Sequence, residues 1–210
     1  MAFTARRETA DLDTLRPTQI TLGLYHVHEK AEVSGKPRSP EALRRFMDSH
    51  RIQTVVGPGD ALYIADHHHW ARAWLELGWN QAPVVIVDDL SSLSPGRFWK
   101  RMRELGHLHP YDEHGKLLDA DALPATVMGM RDDPYRSLAA FTRNAGAYRK
   151  PGNAYGDFRW AAFFRRHVEE DLQSIAGFAR AMTIAIPLAR SSKARKLPGF
   201  VGPFVPGQSL

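Results

Sequence analysis

The chain has 210 residues, is 43% hydrophobic and 24% charged, carries a formal net charge of +5 and contains no cysteine. This composition fits a globular protein with one core, or one core plus an appendage. It excludes a disulfide framework, a cysteine nucleophile and cysteine-ligated zinc, and its basic balance leans towards anionic partners.

No apolar segment follows the arginines of the first residues, and no run of about 18 apolar residues occurs. A cytoplasmic protein without a membrane partner is therefore expected.

Residues 1–16 read as a lead-in. Ile20 to Val27 alternates as a strand does, with Gly23 marking a bulge or a close backbone approach. On such a strand His26 and His28 share a face and, with His68 or His69, form a possible transition-metal set; a surface strand with histidines on one face is the alternative. Glu32 to Arg38 reads as a polar loop. Ser39-Pro40-Glu41 is a helix start, with Leu43, Phe46 and Met47 as the buried stripe. Gln53 to Val56 forms a strand, and Gly57-Pro58-Gly59-Asp60 turns it into another that ends at Asp66.

A helix follows, with Ala71, Trp74 and Leu75 at helical spacing and Gly78 as its stop. Ala82 to Val87 is a continuous apolar run, the pattern of a central strand. Ser94-Pro95 opens a helix that ends near Gly106, and residues 107–126 are loop-like, with His107, His109 and His114 incidental. Asp133-Pro134 opens a helix that closes at Asn144-Ala145-Gly146. A long helix is expected from Asp157 to Met182, with Trp160, Phe163, Phe164, Val168, Leu172 and Ile175 along one stripe, and an irregular basic tail from Pro187. The pattern is α+β: a core over 1–106, a mainly helical extension packed on it over 107–187, and the tail over 188–210.

The chemistry concentrates at Asp66-His67-His68-His69, where a strand hands over to a helix. Backbone N–H groups at a helix start attract anions, and His68 and His69 add side-chain donors. Asp66 serves as a helix cap, as a magnesium ligand, or as both. Lys30 reaches a terminal phosphate as a point charge, or is a solvated lysine. Arg136, Arg143, Arg149 and Lys150 close over an anion or a phosphodiester backbone, or form a basic solvated helix face. No helix-turn-helix or zinc finger is recognisable.

Leu15-Arg16-Pro17-Thr18-Gln19, then Gly23, Val27 and Lys30, then Asp66-His67-His68-His69, resemble the ParB-like nuclease family of the ParB/sulfiredoxin superfamily. Asp133-Pro134-Tyr135-Arg136-Ser137-Leu138 and Phe158-Arg159-Trp160-Ala161 extend the resemblance over about residues 10–170. It implies a small mixed sheet with helices that binds nucleotide phosphates at a strand-to-helix turn. Superfamily members include CTP-binding DNA clamps, sulfinic acid reductases and free-serine kinases. The missing cysteine excludes the reductase activity. The kinases have an Asp-Gly-His-His/Thr-Arg-like turn, but Trp70 stands in place of their arginine and Gln19 in place of their catalytic glutamate, leaving Glu29 as a weak substitute.

The resemblance implies a catalytic set of Asp66, His68 and His69. It implies phosphate contacts from His67, Lys30, Gln19, Thr18 and Arg136. The expected cofactor is ATP, ADP or CTP with Mg²⁺ on Asp66, for phosphoryl transfer or phosphoester hydrolysis on a nucleotide or another phosphorylated small molecule. The alternatives are a non-catalytic nucleic-acid-binding module and a metal-dependent nuclease.

Overall fold

A computed structural model describes residues 3–36, 39–152 and 155–203. The chain divides into two compact units, one of Met1–Leu22 and Val27–Asp132, the other of Gly23–His26 and Asp133–Leu210. The division after Asp132 lies beyond the line drawn from sequence at residue 106. Among the described residues, no helix is long and apolar enough to cross a membrane.

The first unit is built on a four-stranded sheet in the order β1-β5-β3-β4, formed by β1 (Arg6–Asp11), β3 (Ile52–Val56), β4 (Leu62–Asp66) and β5 (Gln81–Asp89). β3 and β5 run parallel, while β1 pairs antiparallel with β5 and β4 antiparallel with β3. The β3–β4 hairpin is the expected one. It closes through a single helical turn at Pro58–Asp60, with Gly59 and Asp60 at positive φ. Ala82, Val84 and Ile86 alternate into the core along the central β5, where the apolar run predicted a buried strand. α4 (Pro95–Glu104) packs Phe98 and Met102 against Val55, Ala65, Leu90 and Leu108.

Two expectations at the start of this unit are corrected. The lead-in contains β1, an exposed edge strand whose sequence RRETAD shows no apolar alternation. Its backbone pairing with β5 makes it a strand, and charged side chains suit an edge. The strand expected over Ile20–Val27 shrinks to β2 (Thr21–Leu22), which pairs parallel with β6 (Arg131–Asp132). α1 (Leu24–Ser34) takes over the rest. Val27 and Ser34, both buried, lie two helical turns apart, and this period prevails over the short alternation. His26 and His28 therefore lie on a helix, where residues two apart face different ways, so the shared-face metal pair is lost. Glu32 and Val33 likewise belong to α1 rather than to a loop; Pro37 and Arg38 lie outside the described residues.

α2 (Pro40–Ser49) begins as its sequence predicts, with the Ser39 hydroxyl accepting from the Ala42 N–H at 3.2 Å. Its apolar stripe of Leu43, Phe46 and Met47 is only half-buried. α3 (His68–Glu76) ends at Gly78, which has φ +76°. Arg72 ties α3 to the loop before β6 through the carbonyls of Met128 and Met130, both at 3.2 Å.

The second unit is helical: α5 (Pro134–Asn144), α6 (Tyr155–Arg165) and α7 (Ile175–Ala189). The Asp133 carboxylate caps α5 through the Tyr135 N–H at 3.1 Å. Where one long helix was expected, the chain breaks between Arg165 and Ile175. Asp171 accepts from the Gln173 N–H and Ser174 from the Gly177 N–H, so local side chains end one helix and start the next. A Cβ on Gly177 would lie 1.9 Å from the Asp171 carbonyl oxygen.

The core of this unit gathers Leu138, Tyr148, Trp160, Phe164 and the small residues Ala181, Ala185 and Ala189 of α7. Tyr148 stacks on Trp160 at 3.8 Å and donates to the Ala139 carbonyl at 2.6 Å. The supposed tail is part of this packing. α7 continues through Pro187 to Ala189, Ala194 is fully buried, and Trp160 Nε1 donates to the Pro198 carbonyl at 2.8 Å. Residues 204–210 lie outside the described ones.

Candidate functional site

The Asp66–His69 turn is where the predicted chemistry gathers, and its backbone explains the arrangement. His67 adopts the left-handed conformation, φ 74° and ψ 27°, which is uncommon for a residue with a side chain. Two bonds hold it there. Its N–H donates to Asp66 Oδ1 at 2.7 Å, and its ring Nδ1 donates to the Arg51 carbonyl at 2.7 Å. The ring therefore points to the α2–β3 junction and does not cap α3. A left-handed residue followed by a helical one turns successive N–H groups towards one side, the geometry of an anion-binding nest.

His68 goes the other way. It is 2% exposed, and its Nε2 accepts from the Thr18 N–H at 3.2 Å. Thr18, itself fully buried, donates its hydroxyl to the Ile64 carbonyl at 2.6 Å. The Leu15–Gln19 segment runs beside β4, with Arg16 N donating to Leu62 O and Ile64 N to Arg16 O, both at 2.8 Å. Gln19, 5% exposed, bridges to His109. His68, Thr18 and Gln19 thus form the buried support of the turn. His69 stands half-buried on the first turn of α3.

Lys30 lies on α1. Its ammonium sits 4.9 Å from the Trp70 ring centroid and 3.2 Å from Glu29 Oε2. Trp70 in turn packs edge-on against Phe46 at 5.5 Å and lies 4.3 Å from His50. Trp74 is fully buried and donates from Nε1 to Ser34 Oγ at 3.0 Å, and Ser34 donates to the Lys30 carbonyl at 2.7 Å. α1 and α3 are thereby fastened side by side, which holds the Lys30 cation at the first turn of α3.

His107, in the loop after α4, lies within electrostatic reach of Asp66. Burial lowers its pKa below the usual 6.5, while the negative charges of Asp88 and Asp66 oppose that shift. Burial thus favours the neutral imidazole, against the charges of the two carboxylates. No motif surrounds it, so the only signal available was its position just beyond the Gly106 stop of α4.

Arg136 belongs to the second unit, whereas the turn belongs to the first. It is 7% exposed, with its guanidinium 3.9 Å from the Phe158 ring centroid. Arg165 pairs with Asp133 on the same unit, and burial raises the Asp133 pKa against the pull of Arg165 and Arg136. Arg143 pairs with Asp157 at 3.1 Å. Among the described residues, no group of three histidine or acidic side chains is placed to hold a metal ion. A magnesium ion at Asp66 fits only as a single-carboxylate site completed by substrate phosphates and water.

The family profile described as "Putative ParB-like nuclease" matches residues 8–166. The chain belongs to this family. The ParB-like match runs from within β1, through the histidine turn, to just past the end of α6. The crystal structure of protein Atu1540 from Agrobacterium tumefaciens is similar to this chain at 34% identity with a TM-score of 0.86, covering 95% of this chain and 99% of that one. No curated protein matches.

Proposed function

We propose that this ParB-like chain binds the phosphates of a nucleotide at the Asp66–His69 turn and carries out phosphoryl transfer or phosphoester hydrolysis there. The carrying observation is the left-handed His67 at an α3 start that its own side chain does not cap, with the Lys30 cation beside the same helical turn. His69 and Lys30 contact the phosphates, and Asp66 would hold Mg²⁺, which when bound would neutralise phosphate charge. His107, whose neutral form burial favours and which feels the Asp66 charge, is the proton acceptor in this reading. His67, His68, Thr18 and Gln19 shape the turn rather than touch the ligand.

Calorimetric titration with ATP, ADP and CTP in the presence of Mg²⁺ tests this reading. Wild-type protein gives heat with at least one nucleotide. Lys30→Ala and His69→Ala weaken it about tenfold or more with unchanged thermal midpoints. Absence of heat at millimolar nucleotide refutes the reading.

A second reading, nucleic-acid binding, is favoured by the solvent face of α4. Arg97, Lys100, Arg101 and Arg103 are all exposed there, with Glu104 as the only acid of the helix. The nuclease description of the family agrees with a phosphodiester ligand. A DNA or RNA shift assay across a salt series tests it, because affinity carried by phosphate contacts falls steeply with added salt.

A further inference from the structure

The first unit has a second concavity, away from the residues assigned to the nucleotide. β3 begins at Ile52, opposite Val84, so Gln81–Pro83 of β5 run past its start. On one side these residues pair with Asp11, Ala10 and Thr9 of β1. On the other side α2 takes the place of a strand, and a cleft of about 390 Å³ opens beside it. That volume lies in the range of small-molecule sites.

The wall is apolar. Leu43 and Met47 of α2 and Pro83 of β5 line the cleft. α2 is strongly amphipathic, yet none of its residues is fully buried, so its apolar face is left partly uncovered. The mouth is positively charged. Arg51 is paired with Asp48, and both line the cleft with Arg44. Arg44 makes no ion pair among the described residues. Two guanidinium groups and one carboxylate thus line the cleft, while Glu41, one helical turn before Arg44 and outside the lining, feels the Arg44 charge. A peptide strand is a poor occupant, because Pro83 has no N–H to contribute to a further strand pairing.

We propose that this cleft is a binding site for a small apolar molecule carrying a single negative charge, its body against Leu43, Met47 and Pro83 and its acid on Arg44. The site is distinct from the histidine turn. It is nonetheless joined to it, since the backbone carbonyl of Arg51 receives the His67 ring N–H.

Fluorescence titration with 1-anilinonaphthalene-8-sulfonate, an apolar body with one sulfonate, tests the proposal on the full chain. One molecule binds per chain, and decanoate displaces it at least about tenfold better than decanol does. Arg44→Glu, at an exposed position, weakens both anions about tenfold or more while circular dichroism and the melting midpoint stay unchanged. Met47→Trp fills the cleft and blocks binding, and the Met47 methyl resonance of the wild-type protein shifts on adding decanoate. The proposal is overturned if Arg44→Glu leaves the affinities unchanged. Equal competition by decanol and decanoate, or a Met47 methyl that stays in place at saturation, overturns it equally.

Discussion

Replacing His68 by Ala separates support from contact at the histidine turn. The ring is 2% exposed, and its Nε2 is the acceptor for the N–H of a fully buried Thr18. Removing it leaves that N–H without this acceptor, which costs about 1–3 kcal/mol. It also empties a core position, and truncations of this kind cost about 2–5 kcal/mol. The two effects overlap in one site, so about 3–5 kcal/mol is expected in all. His69 is half-exposed, and its replacement by Ala should change stability by about 0.5 kcal/mol or less. Urea unfolding followed by tryptophan fluorescence reads the difference, because Trp70 and Trp74 report on α3. With a slope of roughly 2 kcal/mol per molar, His68→Ala moves the midpoint down by about 2 M. His68→Gln, whose amide oxygen can accept the Thr18 N–H, should recover part of the loss. The reasoning is refuted if His68→Ala unfolds at the wild-type midpoint and loses nucleotide binding instead. His68 would then be a ligand contact.

The His107 resonance in an NMR titration should show a midpoint below 6.5, and Asp66→Asn should lower it further by removing a charge that favours the imidazolium. An unmoved midpoint would separate the two residues. Because the folded-state pKa is depressed, His107 contributes stability above 6.5 that is lost as pH falls through its folded value, so His107→Gln should flatten that part of the stability profile. Gly23→Ala would bring a Cβ to 2.5 Å from the Ser137 backbone nitrogen and should cost about 1–3 kcal/mol or more in thermal unfolding. Gly35→Ala, whose nearest neighbour would be 3.6 Å away, is the tolerated control. Ser174→Ala removes the acceptor for the Gly177 N–H and should cost about 1 kcal/mol, read as a lower melting midpoint.

What could be read in the sequence follows from where each signal resides. β3, β4, β5 and α3 are stated by local apolar spacing and by turn residues such as Gly57, Asp60 and Gly78, and they appear as expected. β1 was hidden because an exposed edge strand is selected by backbone pairing, not by apolar alternation. α1 was misread because Ile20–Val27 satisfies two periods over so short a span. The α6–α7 break was hidden because apolar spacing continues across it, while the Asp171 and Ser174 side chains that create it look like ordinary surface residues.

The site shows the same division. The Asp66–His69 turn was legible as a strand-to-helix junction. The separate fates of its histidines were not, since they depend on the left-handed His67 and on Thr18, a residue remote in sequence. Gly23 as a close backbone approach was legible, and its partner Ser137 was not. Arg136 carried a family motif, but its place in the second unit depends on tertiary structure alone.

The short segment Gly23–His26 has a consequence for how the chain is made. It belongs to the second unit although everything around it in sequence belongs to the first. During synthesis it leaves the ribosome on the order of ten seconds before the helices it will join, at ordinary elongation rates. His26 N then awaits Ser137 Oγ, and the Tyr25 hydroxyl awaits the Gln173 carbonyl. The second unit therefore cannot complete its contacts from late-made residues alone, and no single cut separates the units. A protein truncated at Asp133 carries about one turn of orphaned contacts near its beginning, so the start of the chain is exposed to whatever interrupts its end.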